Sequence, residues 1–264
     1  MKMRTGHKLY TALILAFMYL PIIVFIIFSF NNGKTTVWKG FTLKWYTDLF
    51  RDKQIMNALT NTIIIAVVAS VVATILGTAA AIGINNFTGK KRILIQNASN
   101  IPILSPDIVM GVSLMLMFTI AGVTFHFQMG FWTVLLAHIT FCTPYVVLSV
   151  LPRIRRMDYA VYEASLDLGC NQWQAFRKVV IHELMPGIFT GFLMSFTYSL
   201  DDFVVTYFTS GPKFQTLPVQ IYSMTKRRIS PKINALSALM FVVIIAAMVA
   251  INLKDRHEEK KKFS

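Results

Sequence analysis

The sequence predicts an all-α integral membrane protein with six transmembrane helices, and three observations carry that expectation. Hydrophobic residues make up 55% of the 264, and mean hydropathy is +0.57. The apolar residues fall in blocks of bilayer length, which a water-soluble core does not need. The formal charge of +14 sits almost wholly in the segments between those blocks. A basic nucleic-acid binder instead carries its charge on a folded polar surface, so that function class is set aside. Cys142 and Cys170 fall in a block and in a connecting loop, and imply neither a disulfide framework nor a metal site.

The first span covers about residues 9–30. It follows Lys2, Arg4 and Lys8, as a signal peptide would, but exceeds a signal core and lacks a small-x-small cleavage pattern, so it reads as retained. The second, about 59–84, is rich in small residues (Gly77, Ala79, Ala80, Ala81, Gly83), the mark of a close helix–helix interface. The third, about 93–121, is interrupted by Pro102 and by Pro106-Asp107. Interrupted spans border substrate sites in transporters, and they also serve as plain packing kinks; both readings stand. The fourth, about 131–151, holds Pro144, a kink, and His138 four residues before Cys142; a buried hydrogen-bonded His fits better there than a two-ligand metal site. The fifth covers about 187–208 and the sixth about 234–253. With no Gly/Ser-rich linker, residues 1–264 read as one transmembrane domain.

With the N-terminus inside, the inner segments hold 16 Lys and Arg and the outer ones 10, over equal lengths. That bias puts both termini in the cytoplasm. Trp38, Trp45 and Trp132 fall near the outer boundary, where indoles anchor at headgroups. The basic run from Lys254 to Lys262 reads as a solvated, lipid-facing tail.

The loop at 152–186 contains the most unusual stretch, residues 162–169. Met157, Val161, Ala164 and Leu168 share a helical stripe, and Gly169 stands where a helix would end. Glu163 near its start suits the helix dipole, and Arg153, Arg155, Arg156, Arg177 and Lys178 suit an acidic partner or lipid headgroups. On this pattern alone a docking helix and an ordinary interfacial helix are both open.

Glu163, Ala164 and Gly169 resemble the EAA loop of bacterial ABC-importer permeases, whose pattern is Glu-Ala-Ala, three residues, Gly, nine residues, Ile, one residue, Leu-Pro. Ser165 replaces the second Ala, Val179 the Ile, and Ile181-His182 the Leu-Pro, with Met185-Pro186 slightly later as a substitute kink. The runs from Leu104 to Met110, from His138 to Pro144, from Ser199 to Val205 and from Ile221 to Met224 are similar to the permeases of spermidine/putrescine importers of the PotC type. This resemblance covers nearly the whole chain. It implies a type I ABC importer permease fold in a prokaryotic inner membrane, with a cytoplasmic coupling helix between spans four and five. It also implies a second homologous permease, two copies of an ATPase subunit and an external polyamine-binding protein, met through the loops at 31–58 and 209–233. ATP is then used by the partner, since this chain has no G-x-x-x-x-G-K-[ST] loop, and the chain itself is not an enzyme and carries no cofactor.

Three acids, Asp107, Asp201 and Asp202, lie within spans. An ionised Asp at mid-bilayer costs about 2.5–3.5 kcal/mol, so it faces a cavity or a partner. On continuous helices Asp107 and Asp202 lie roughly 21–23 Å from the cytoplasmic ends, at one depth. Ser195, Ser199, Asp202, Thr206 and Thr209 recur at three- and four-residue steps, which assigns Asp202, Ser199 and Thr206 to a polar path, with Asp107 opposite. Tyr198 and Tyr207 offer ring faces to an ammonium group. Asp201 shares a more apolar stripe and reads as an interhelical or subunit contact. A structural hydrogen bond is the competing reading for Asp202. The competing functions are a self-sufficient secondary transporter or channel for organic cations, weakened by the lack of an internal repeat, and a membrane enzyme, for which no nucleophile set falls at one depth.

Overall fold

A computed structural model describes residues 5–33, 37–227 and 231–242. The basic tail, Arg228 and the end of the sixth expected span lie outside them. Contacts divide the chain into two units, Met1–Asn57 with Gln220–Ser264, and Ala58–Val219.

In the first unit, α1 (Thr5–Ser29) is apolar around its circumference, as a bilayer span must be. The chain then reverses through Asn31. Its side chain accepts from Gly33 N and Lys39 N and donates to the Val37 carbonyl, all at 2.9–3.0 Å. In α2 (Lys44–Arg51), Trp45 is buried and its indole N–H donates to the Asn31 carbonyl at 2.8 Å. Trp45 therefore braces this turn and is no headgroup anchor, whereas Trp38 and Trp132 are exposed. Within the same unit Lys232 meets Asp52 at 3.1 Å.

Helix α3 (Lys53–Asn86) carries the chain into the second unit. Ala69, Ala73, Gly77 and Ala81 recur every four residues and all are buried. They let α3 approach α6 (Phe131–Arg156) closely: a Cβ on Gly77 would fall 2.6 Å from Val146 Cβ. Ala79 and Ala80 are exposed and Gly83 meets nothing within 4 Å, so the interface uses one stripe of the small residues and not the whole cluster.

The third expected span is two helices, α4 (Gly89–Leu104) and α5 (Asp107–Phe125). Pro106 lacks an N–H and drives Ser105 to an extended ψ of 137°, which ends α4; Pro102 is absorbed inside it. Only α5 is long and apolar enough to cross a bilayer.

Helix α6 runs beyond the expected Leu151 to Arg156 and α7 (Tyr159–Asp167) follows. The next helical run is continuous from Gln172 to Asp201: α8 (Gln172–Ala175), a π-helical turn over Phe176–Val180, then α9 (Ile181–Asp201). The connecting loop is thus shorter than 152–186, and the irregularity at its exit is the π turn. Helix α9 continues through Pro186. The expected fifth span breaks at Asp202 and Phe203 before α10 (Val204–Thr209). Gly187, Gly191, Ser195 and Ser199 form the buried face of α9; a Cβ on Gly191 would meet Val146 Cα at 3.0 Å. Helix α6 is therefore clamped between α3 and α9, with Ala81, Val146, Val150, Leu151 and Leu184 in one core. Helix α10 lies on α5, where Gly111 admits Phe208.

Helix α11 (Leu217–Arg227) and the short apolar α12 (Pro231–Val242) complete the described elements. Five described helices are long and apolar enough to cross a membrane. The sixth expected span begins as α12.

Candidate functional site

Two places concentrate chemistry in the second unit: a recess where the broken helices meet, and the exposed face of α7.

The recess holds about 320 Å³. Its walls include Asp107, Asp201, Asp202, Tyr145, Tyr198 and Phe203. The Tyr145 and Tyr198 rings stack at 4.3 Å with 21° between planes. Carboxylates beside aromatic faces attract an organic cation, because the charge meets acids and its alkyl portion meets rings.

The three acids differ in what surrounds them. Asp202 is largely buried, with 11% of its side chain exposed. Its carboxylate accepts from Val205 N at 3.2 Å, Thr206 N at 2.8 Å and Thr206 Oγ1 at 2.7 Å, so it caps α10 where the backbone has broken. His138 of α6 stands 3.5 Å away. Its ring is itself buried and bonds Ser199 Oγ at 2.7 Å and Thr206 Oγ1 at 2.9 Å. The polar stripe at 195, 199, 206 and 209 is thus buried against α6 and α10's own surroundings, and Ser199 and Thr206 do not line the recess. Asp201, the last residue of α9, is exposed on the recess wall. Asp107 opens the first turn of α5 and is also exposed. Tyr198 joins them, while Tyr207 is half-exposed on α10, beside Phe203 and Phe208, and is not among the recess walls.

The depth count treated both spans as continuous, and neither is; the acids converge because two helix breaks converge. Tyr145 and the central place of His138 were missed by sequence reasoning. The available signal was their seven-residue spacing, which puts both on one face of α6.

In α7 the Asp158 side chain caps the N-terminus through Ala160 N at 2.9 Å. The C-terminus closes as a Schellman motif, Cys170 N to Ser165 O at 3.1 Å and Gly169 N to Leu166 O at 2.9 Å, with Gly169 at φ +87°. Ser165 is the buried residue of α7, its hydroxyl donating to the Tyr162 carbonyl. Three residues of the stripe seen in the sequence face outward: Val161 is 55% and Leu168 87% exposed, and Ala164 is exposed; the fourth, Met157, is half-buried at the end of α6, and Trp173 beyond the stripe is 68% exposed. Glu163 is exposed as well, on a different side of the helix from that stripe. An apolar face left open outside the spans suits contact with another protein or with lipid headgroups.

A family model described as "Binding-protein-dependent transport system inner membrane component" matches residues 73–257. The chain is 36% identical over 248 residues to the spermidine/putrescine transport system permease protein PotC of Escherichia coli K12, covering 94% of this chain and 92% of that one. It is also 36% identical over 252 residues to the putrescine transport system permease protein PotI of the same organism, covering 93% and 89%. Among solved structures it is similar to a bacterial ABC transporter involved in import of the acidic polysaccharide alginate, with TM-score 0.70, 14% identity and 95% and 94% coverage, a likeness of fold.

Proposed function

Because the chain belongs to the family of binding-protein-dependent transport system inner membrane components, we propose that it forms, with a second homologous permease, the path by which an ATP-driven importer moves polyamines such as spermidine and putrescine. The observation that carries this reading is the recess, where exposed Asp107 and Asp201 flank the stacked Tyr145 and Tyr198. A polyamine is a string of ammonium groups joined by methylenes, and alternating acids and rings match both parts.

In this reading the chain acts as one transmembrane domain in the cell's inner membrane, both termini in the cytoplasm. Glu163, Ala164, Ser165 and Gly169 shape the helix that seats in one of two ATPase copies, while Val161, Leu168 and Trp173 supply its apolar contact. An external polyamine-binding protein delivers the substrate. Asp201 and Asp107 meet the cation, and Asp202 holds the break that presents Asp201.

The test is reconstitution in liposomes with the second permease, the ATPase subunit and loaded binding protein. Spermidine uptake should require ATP and every partner, and Asp201→Asn should lower it at least tenfold. Gradient-driven uptake by this chain alone would instead make it a self-sufficient carrier.

A further inference from the structure

The recess is shaped by a break that Asp202 caps from within and that a second group, from neither broken helix, bridges from outside. Helix α9 ends at Asp201, Asp202 is extended with ψ 123°, and α10 begins at Val204. His138 reaches across this gap from α6, one ring nitrogen on Ser199 of α9 and the other on Thr206 of α10.

The hydrogen bonds have a direction. Thr206 Oγ1 spends its proton on Asp202 Oδ2, so toward His138 it can only accept, and Nε2 must donate. In the neutral Nε2–H tautomer Nδ1 then accepts from Ser199 Oγ. The result is a chain running from Ser199 through His138 and Thr206 to the Asp202 carboxylate, with every member satisfied. The histidine is 1% exposed and does not line the recess, so it is not a substrate ligand. Helix α6 also supplies Tyr145, whose ring stacks on Tyr198, the residue before Ser199. One rigid helix thus fixes the recess wall both at the ring pair and at the break.

We propose that His138 is a positioning residue for substrate choice: by pinning Ser199 and Thr206 together it sets where Asp201 stands relative to Asp107 and Tyr198, and so which spacing of ammonium groups the recess accepts. This rests on the polyamine-permease reading above. Spermidine keeps putrescine's four-methylene spacing and adds a third ammonium group three methylenes further on, so a change in the break alters their relative transport even where total transport also falls.

The experiment compares wild type, His138→Phe, His138→Gln and Thr206→Val in the complete reconstituted transporter, reading spermidine and putrescine uptake from the same vesicles. The ratio of the two is independent of how much transporter is folded, which separates positioning from a merely structural role. His138→Phe and Thr206→Val should shift the ratio about threefold or more. His138→Gln, whose amide can reach Thr206 in place of Nε2, should return it to within about twofold of wild type. An unchanged ratio in both His138→Phe and Thr206→Val, with uptake of the two amines falling together, overturns the proposal. So does His138→Gln shifting the ratio as far as His138→Phe. If His138→Phe does not assemble, Thr206→Val and His138→Gln alone decide. Absence of amine uptake by the wild-type assembly would refute the permease reading itself and is seen before any variant is compared.

Discussion

Replacing Asp201 and Asp202 one at a time separates a group that attracts the cation from a group that builds the wall. Asp202 accepts three hydrogen bonds inside the protein, two from backbone N–H groups of α10 and one from the Thr206 hydroxyl. Leaving buried donors without acceptors costs about 1–3 kcal/mol each, and bonds to a charged acceptor lie at the upper end. Loss of a helix cap alone costs about 0.5–2 kcal/mol. Asp202→Ala should therefore destabilise the folded chain by roughly 3 kcal/mol or more. Asp202→Asn keeps one carbonyl acceptor for the Thr206 N–H and should lose about 1–2 kcal/mol. Asp201 is exposed, and Asp201→Asn should stay within about 0.5 kcal/mol of wild type. Reversible unfolding in mixed micelles measures the stabilities, and uptake in the reconstituted transporter measures function. The expected pattern is a double dissociation, with Asp201→Asn stable but transport-poor and Asp202→Asn destabilised. Equal stability of Asp202→Ala and wild type would refute the capping argument, and full uptake by Asp201→Asn would refute the path assignment.

Three further outcomes follow from local geometry. Gly169 sits at φ +87° with nothing within 4 Å of an added Cβ, so Gly169→Ala costs only conformational strain, about 1–2 kcal/mol, read as faster amide exchange in α7. Leu168→Glu, at an 87% exposed position, should leave unfolding unchanged yet weaken co-purification of the ATPase subunit tenfold or more, about 1.4 kcal/mol. Gly77→Val, whose Cβ would fall 2.6 Å from Val146 Cβ, should destabilise by about 1–3 kcal/mol or more, while Gly83→Val, facing open space, should change stability by under about 0.5 kcal/mol.

Apolar block length alone placed the long helices, because a bilayer imposes it on each span independently of its neighbours. Helix α7 was also legible, since the apolar stripe and Gly169 are local signals that tertiary packing did not override, although its Asp158 cap went unread. What sequence periodicity obscured was continuity. The recurrence of Ser195, Ser199, Asp202 and Thr206 is a helical repeat only if the helix continues through 202, and it does not. The first two of these positions are buried because α9 packs them on α6, and Thr206 because Asp202 and His138 enclose it. A polar stripe in a span satisfies its own groups either from a water-filled path or from a neighbouring helix, and the pattern is the same in both cases. Only the partner, here His138, tells them apart. The proline break at 106 was visible because Pro106 removes a donor outright, whereas no proline marks the one at 202.

The placement of the two breaks also orders the acids by the charge they leave unopposed. Asp107 begins a 19-residue helix, where the unpaired N–H groups of the first turn carry partial positive charge and offset its carboxylate. Asp202 is opposed more directly, by two N–H donors and a hydroxyl within hydrogen-bonding reach. Asp201 ends a 21-residue helix, so its neighbours are the carbonyl oxygens of a C-terminus, which add negative potential to its own. Pro102, near the C-terminal end of α4, lies on the same wall. On the proposed path Asp201 is therefore the acid left most free to attract a cation, although the sequence stripe pointed to its neighbour. Moving a charge past such a site also requires that it can leave, and on the proposed path the ring faces beside Asp201 would offer weaker positions. On that path the acid at 202, held by α10 and His138, serves to keep the wall in place rather than to meet the cation.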